Sequence, residues 1–277
     1  MSTVRDVSVS GLPAWLPPQP LLGPGQWRRV EGEPRVERAQ LSLSEAGDLA
    51  ARLRGLHLDG QAVEVVVTPP LPRNVVREAR LEDARRRRET TPGFLRAGVQ
   101  VDEEGRYSLT PEVLALNLGK QAKGRSVVDL GAGAGGNSIG FARAGCRVVA
   151  VELDAARLAM ARHNARCYGV DAQIRFVHGD GMALLPSLNA DLLFLDPPWG
   201  REYNKERMGL EELPLLKAAL GLRARFGAIW AKVPASFDSR ETPDARVEAV
   251  FGLAAGDQRR IKFLCLRWEG AAGEDSR

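Results

Sequence analysis

Cysteine, histidine and lysine are all scarce in this chain, and each scarcity removes a class of chemistry. Three cysteines in 277 residues, Cys146, Cys167 and Cys265, are odd in number and scattered, which argues against a disulfide framework and against a zinc site. They read as buried thiols. The three histidines, His57, His163 and His178, sit singly with no nucleophile beside them, so they are assigned no chemistry, and no metal is expected. No apolar run approaches the roughly 18 to 20 residues of a membrane span. Met1 to Gly25 lacks an apolar stretch of signal-peptide length, so the expectation is a cytoplasmic protein.

What is present is arginine, 33 against 6 lysines, as a GC-rich bacterial genome would encode. The net charge is +4, and residues 71–96 alone account for it, with eight arginines against four acids. Arg85, Arg86, Arg87 and Arg88 lie within that segment. Clustered guanidinium groups suit phosphate because each offers a planar fork of donors, although a solvated helix face would look the same. Apolar and charged fractions of 44% and 27% are those of a globular protein with one substantial core.

Along the chain, the Pro/Gly-rich stretch 11–25 cannot form a continuous helix or a central strand, and residues 1–25 read as an arm. Residues 26–109 form an N-terminal, substrate-side extension: a helix from Ser44 to Leu56 capped by Ser44, a strand from Ala62 to Val67, and a basic helix near Val75 to Glu89. From Thr110 to the end, strands and helices alternate, which implies a doubly wound α/β domain. Its parallel strands are expected at Ser126–Leu130, Arg147–Glu152, Gln173–His178, Leu192–Asp196 and Ala228–Val233. Val247–Leu253 and Arg260–Trp268 are close enough for a terminal hairpin. Five parallel strands and a closing hairpin match the seven-stranded, Rossmann-like sheet of S-adenosylmethionine methyltransferases.

Two clusters carry the chemistry. Asp129-Leu130-Gly131-Ala132-Gly133-Ala134-Gly135-Gly136 follows the first of these strands and opens a helix, so its backbone can approach a cofactor closely. Gly131, Gly133 and Gly136 with Glu152 also satisfy a dinucleotide-binding pattern. S-adenosylmethionine is favoured by three details: Asp129 two positions before the first glycine, Asp180 after the third strand, and Asp196-Pro197-Pro198-Trp199 after the fourth. Asp129 can face the methionine ammonium, Glu152 the ribose hydroxyls and Asp180 the adenine amine. The helix starting near Asn137 points its positive end at the methionine portion. In the second cluster Asp196 and the Pro197 carbonyl are candidate acceptors for the two N–H groups of a planar amine, with Trp199 as a stacking face and Tyr203 beside it.

The chain resembles the trimethylguanosine synthase, or RNA cap guanine-N2 methyltransferase, family over about residues 90–268. The marks are Tyr107-Ser108-Leu109-Thr110-Pro111-Glu112, Gly135-Gly136-Asn137-Ser138-Ile139, Ala165-Arg166-Cys167-Tyr168-Gly169-Val170 and Pro197-Pro198-Trp199-Gly200. The resemblance implies methyl transfer to guanine N2 in RNA with Trp199 stacked on the base, and Asp196, Pro197, Pro198 and Trp199 are the expected catalytic residues. The expected cofactor contacts are Thr110, Asp129, Gly131, Gly133, Gly135, Asn137, Glu152 and Asp180. Tyr203 and Arg85 to Arg88 are the expected substrate contacts, and the RNA is expected single-stranded or with its guanine flipped. The chain departs from the family in three places. Asp196 stands where a serine is usual, Val233-Pro234-Ala235-Ser236 replaces Leu-Pro-Arg-Asn, and Gly200-Arg201-Glu202-Tyr203 is one residue shorter than its counterpart. Adenine N6, cytosine N4 and protein glutamine also present planar amines, and a non-catalytic cofactor- or RNA-binding protein is the alternative of a different class.

Overall fold

The computed structural model describes residues 4–30, 35–103, 105–122, 124–199 and 202–270, and in these the chain forms two sheets that carry most of the structure. Gly200, Arg201 and residues 271–277 lie outside the described residues. The first sheet is antiparallel: β1 (Val4–Ser10), β2 (Arg28–Val30), β3 (Val36–Ser42) and β4 (Glu64–Thr68), in the order β2-β3-β1-β4. Val7, Val9 and Leu41 point to one face, which α1 (Leu43–Leu53) covers through Ala46, Leu49 and Leu53.

This corrects two expectations. Residues 4–10 are not part of an arm but an inner strand, flanked by β3 and β4, because Val7 and Val9 alternate inward and their ladder partners arrive from 36–42 and 64–68. The prolines that follow are packed down, with one helical turn at Pro18–Leu22 and Leu12, Leu16, Leu21 and Leu22 buried. Helix α1 is capped by Ser42 and not by Ser44. Only Ser42 has a glutamate at the third helical position, and Ser42 and Glu45 satisfy each other's backbone N–H in a reciprocal box. The basic helix α2 (Arg73–Arg86) packs against α1.

The second sheet has five parallel strands, β5 (Ser126–Leu130), β6 (Arg147–Glu152), β7 (Ile174–His178), β8 (Ala190–Leu195) and β9 (Phe226–Val233), and an antiparallel pair, β10 (Arg246–Phe251) and β11 (Ile261–Glu269). Among the described residues its order is β10-β11-β9-β8-β5-β6-β7. The expected doubly wound fold is present, and its strand order reverses at β5, between β6 and β8. Open α/β sheets bind ligands in the crevice beyond the strand ends at such a point. Strands β5 and β8 are short and largely apolar because both faces are covered, by α3 (Glu112–Gln121), α4 (Gly136–Arg143) and α5 (Ala155–Tyr168) on one side and α6 (Pro214–Gly221) on the other.

Residues 96–102, assigned from sequence to the N-terminal extension, lie along α5 of the larger unit. Asn164 exchanges hydrogen bonds with both backbone groups of Gln100 (2.7 and 2.8 Å), and Arg96 donates to the Cys167 carbonyl at 2.7 Å. No described helix is long and apolar enough to cross a membrane.

Candidate active site

The loop from β5 into α4 is shaped by close approach. Gly131 has φ +92°, and a Cβ there would stand 2.9 Å from the Asp196 carbonyl oxygen, so the glycine loop and the end of β8 touch backbone to backbone. Gly135 begins α4 in the left-handed region at φ +89°. The loop is braced by Glu152, whose carboxylate accepts from the Gly133 N–H at 2.7 Å and the Asp154 N–H at 2.9 Å. Each oxygen retains a second lone pair for a ribose hydroxyl.

Three polar atoms at this loop are buried with no hydrogen-bond partner: Thr110 Oγ1, Asp129 Oδ1 and Asn137 Oδ1. All three can accept a hydrogen bond, and buried acceptors are rarely left without a donor. The other Asp129 oxygen accepts from Ser138 Oγ at 2.5 Å. Burial pushes the Asp129 carboxyl up to about 7, a rise that the Ser138 bond opposes and the negative charges of Asp196 and Glu152 reinforce. A cation brought to this point relieves both the orphaned acceptors and the raised carboxyl. Asp180 is exposed and caps the turn Gly181–Leu184 by accepting from the Met182 N–H at 2.9 Å.

Across the loop contact stands the second cluster. Asp196 Oδ2 accepts from Asn137 Nδ2 and from Lys232 Nζ, each at 2.9 Å. Both bonds fall on Oδ2, and Oδ1 is left for a further donor. Trp199, half-buried, donates its indole N–H to the Lys232 carbonyl at 3.3 Å and packs on the apolar layers of both sheet faces. The Tyr203 ring meets it edge to face, with centroids 5.9 Å apart. Burial raises the Tyr203 phenol above its ordinary range. Pro197 is buried and Pro198 exposed.

Thr110, Asp129, Gly131, Gly133, Gly135, Asn137 and Glu152 are thus brought together at one strand-end crevice, with Asp196 and Trp199 beside them. The arginine run is not free in the way the sequence suggested. Arg85 and Arg86 pair with Glu82, Arg86 also with Asp48, and Arg87 with Asp83. Acids three or four residues earlier on the same helix face take up the guanidinium groups, a spacing the sequence already contained. Lys232, by contrast, escaped the sequence reading. Its one signal was a lone cation in the apolar run Ala228 to Val233, and its two partners lie 36 and 124 residues away.

Residues 124–213 match the family model described as RNA cap guanine-N2 methyltransferase. Over 113 residues the chain is 34% identical to the trimethylguanosine synthase of Schizosaccharomyces pombe, a match covering 37% of this chain and 47% of that protein. Over 76 residues it is 38% identical to the release factor glutamine methyltransferase of Enterococcus faecalis, covering 27% of each. The chain spans less than half the length of these curated relatives. Among solved structures, an RNA methyltransferase from Salinibacter ruber in complex with S-adenosyl-L-homocysteine is 24% identical with a TM-score of 0.39, covering 58% of this chain and 92% of that one.

The crevice fits S-adenosylmethionine through its own set of acceptors. The ammonium of the methionine moiety supplies the donors that Asp129 Oδ1 and its neighbours lack, and the glycine loop leaves the backbone open where a side chain would intrude.

Proposed function

We propose that this chain, whose residues 124–213 carry the RNA cap guanine-N2 methyltransferase pattern, transfers a methyl group from S-adenosylmethionine to an exocyclic amine, the N2 of guanine in RNA. One observation carries the reading: Asn137, at the start of α4, holds the Asp196 carboxylate at 2.9 Å, so the cofactor loop and the Asp196 to Trp199 strand end form one continuous site. The expected roles of Asp196, Pro197 and Trp199 follow from that continuity.

The bound cofactor supplies an electrophilic methyl on a sulfonium. The guanine amine is a weak nucleophile because its lone pair is delocalised into the ring. Asp196 Oδ1 and the Pro197 carbonyl accept the two N–H groups, which turns the lone pair out of conjugation and towards the methyl. As the new carbon–nitrogen bond replaces the methyl's bond to sulfur, whose electron pair stays on the departing thioether, the amine proton passes along its hydrogen bond to the Asp196 carboxylate. Alignment and preorganised acceptors carry most of the acceleration. Trp199 supplies a flat face worth about 1 to 3 kcal/mol per stacked base. Asp180 serves the adenine amine with the oxygen not used in its cap.

For the flanking RNA backbone, Arg73, Arg77 and Arg80 are better placed than the acid-paired run at Arg85 to Arg87. They line a surface cavity of about 410 Å³ with Leu71, Val76 and Leu81. A glutamine side-chain amide is the second reading, favoured by the match to a release factor glutamine methyltransferase. The test is to incubate the protein with isotope-labelled S-adenosylmethionine and total host RNA or protein, digest, and identify the labelled product. Label in N2-methylguanosine supports the reading, and label in methylglutamine alone overturns the RNA assignment.

A further inference from the structure

Lys232 is a buried cation that no role above requires. It lies at the end of β9 with its side chain 6% exposed, inside a strand otherwise apolar from Ala228 to Val233. An ammonium costs several kcal/mol to remove from water unless it is well partnered, so a lysine here needs a reason. Its Nζ donates to Asp196 Oδ2 at 2.9 Å and to the Ser108 carbonyl at 2.8 Å. The same Nζ stands 5.3 Å from the centre of the Trp199 ring and 5.5 Å from that of Phe263. The backbone of the same residue is engaged too, because its carbonyl accepts the Trp199 indole N–H at 3.3 Å.

We infer that Lys232 is the positioning residue of this site: its side chain orients the Asp196 carboxylate while its carbonyl sets the plane of Trp199. The inference rests on the methyltransferase reading above. The amine acceptor and the stacking surface sit on one short irregular strand end, 196–199, which has no ladder of its own to hold it. A single residue on the neighbouring strand grips both. With Asn137 and Lys232 both on Oδ2, the carboxylate can neither rotate nor swing away, and Oδ1 is presented in one direction. The bond to Ser108 extends the grip to the segment that leads into Thr110, on the cofactor side. Lys232 therefore fixes the offset between the base plane and the methyl donor, the distance on which in-line transfer depends.

Lys232→Met keeps the apolar stem and removes the ammonium. The expected result is a fall in kcat of about a hundredfold, since misplacement of about 1 Å costs that much. KM for the RNA and the binding of S-adenosylhomocysteine by calorimetry should each change less than threefold. Lys232→Arg, which can reach the same acceptors, should recover at least a tenth of the wild-type kcat. The decisive measurement is the cycle with Asp196→Asn. If Lys232 acts through Asp196, the double variant loses no more than Asp196→Asn alone, whereas multiplying losses overturn the inference, as does Lys232→Met with wild-type kcat. If Lys232→Met does not fold, the cycle is run with Lys232→Arg against Asp196→Asn under the same criterion. A wild-type protein that transfers no label would sink the methyltransferase reading itself, an outcome distinct from either.

Discussion

Single residues decide the chemistry at both ends of the crevice. Asp196→Ala removes the acceptor but leaves the loop, so kcat should fall about 10² to 10³-fold with S-adenosylhomocysteine binding retained. Trp199→Ala should instead raise KM for the RNA, and turnover assays at varied RNA concentration separate the two. Asp129 makes a different forecast. In the free protein its carboxyl titrates at about 7, raised chiefly by burial and further by Asp196 and Glu152. An incoming ammonium favours the ionised form, so binding below pH 7 must first expel a proton. Affinity for S-adenosylhomocysteine should weaken roughly tenfold per pH unit from 7 down to about 5 and level off above 7. Calorimetry in buffers of different ionisation heat should find proton release in that window. A dissociation constant flat from pH 5 to 7.5 removes Asp129 from the ammonium role.

At the scale of elements, helix α2 shows how far a charge count reaches. Its C-terminal arginines were conspicuous in the sequence, yet Glu82 and Asp83 neutralise Arg86 and Arg87 at helical spacing, and those ion pairs are surface contacts of small worth. The N-terminal half offers Arg73, Arg77 and Arg80 around an apolar floor, over about 10 Å of helix. Replacing all three by glutamine should weaken binding of a long single strand and reduce the slope of log K against log salt by about 2. Turnover of a minimal oligonucleotide should stay within twofold. An unchanged salt slope makes the helix face a solvated one. Elements of the larger sheet were legible where a continuous apolar run announced a strand covered on both faces, and β5 and β6 begin and end where the sequence placed them. β1 was not legible, because its neighbours join the chain some thirty and sixty residues later.

For the whole molecule, a buried polar knot ties the segment that follows α2 to the larger sheet. Asp257, in the turn from β10 to β11, accepts from the Thr91 N–H and Oγ at 2.7 Å each, from the Ala254 N–H at 3.0 Å and from Lys262 Nζ at 3.1 Å. Asp257→Asn can accept through only one oxygen and leaves at least one of these donors without its partner, a cost of about 1 to 3 kcal/mol. Chemical denaturation should register that loss, and an unchanged midpoint would show that the knot adds nothing to stability. The sequence by itself determined the order of the sheet's strands along the chain, the glycine loop and the Asp196 to Trp199 strand end, because each is written in contiguous residues whose periodicity or backbone demand is local. Only the tertiary structure decided that Val4–Ser10 is an inner strand, that Asn137 bridges the loop to Asp196, and that Lys232 grips Asp196, Ser108 and Trp199 at once. Those contacts depend on which strand ends lie side by side, and adjacency across a sheet is set by packing of the whole chain.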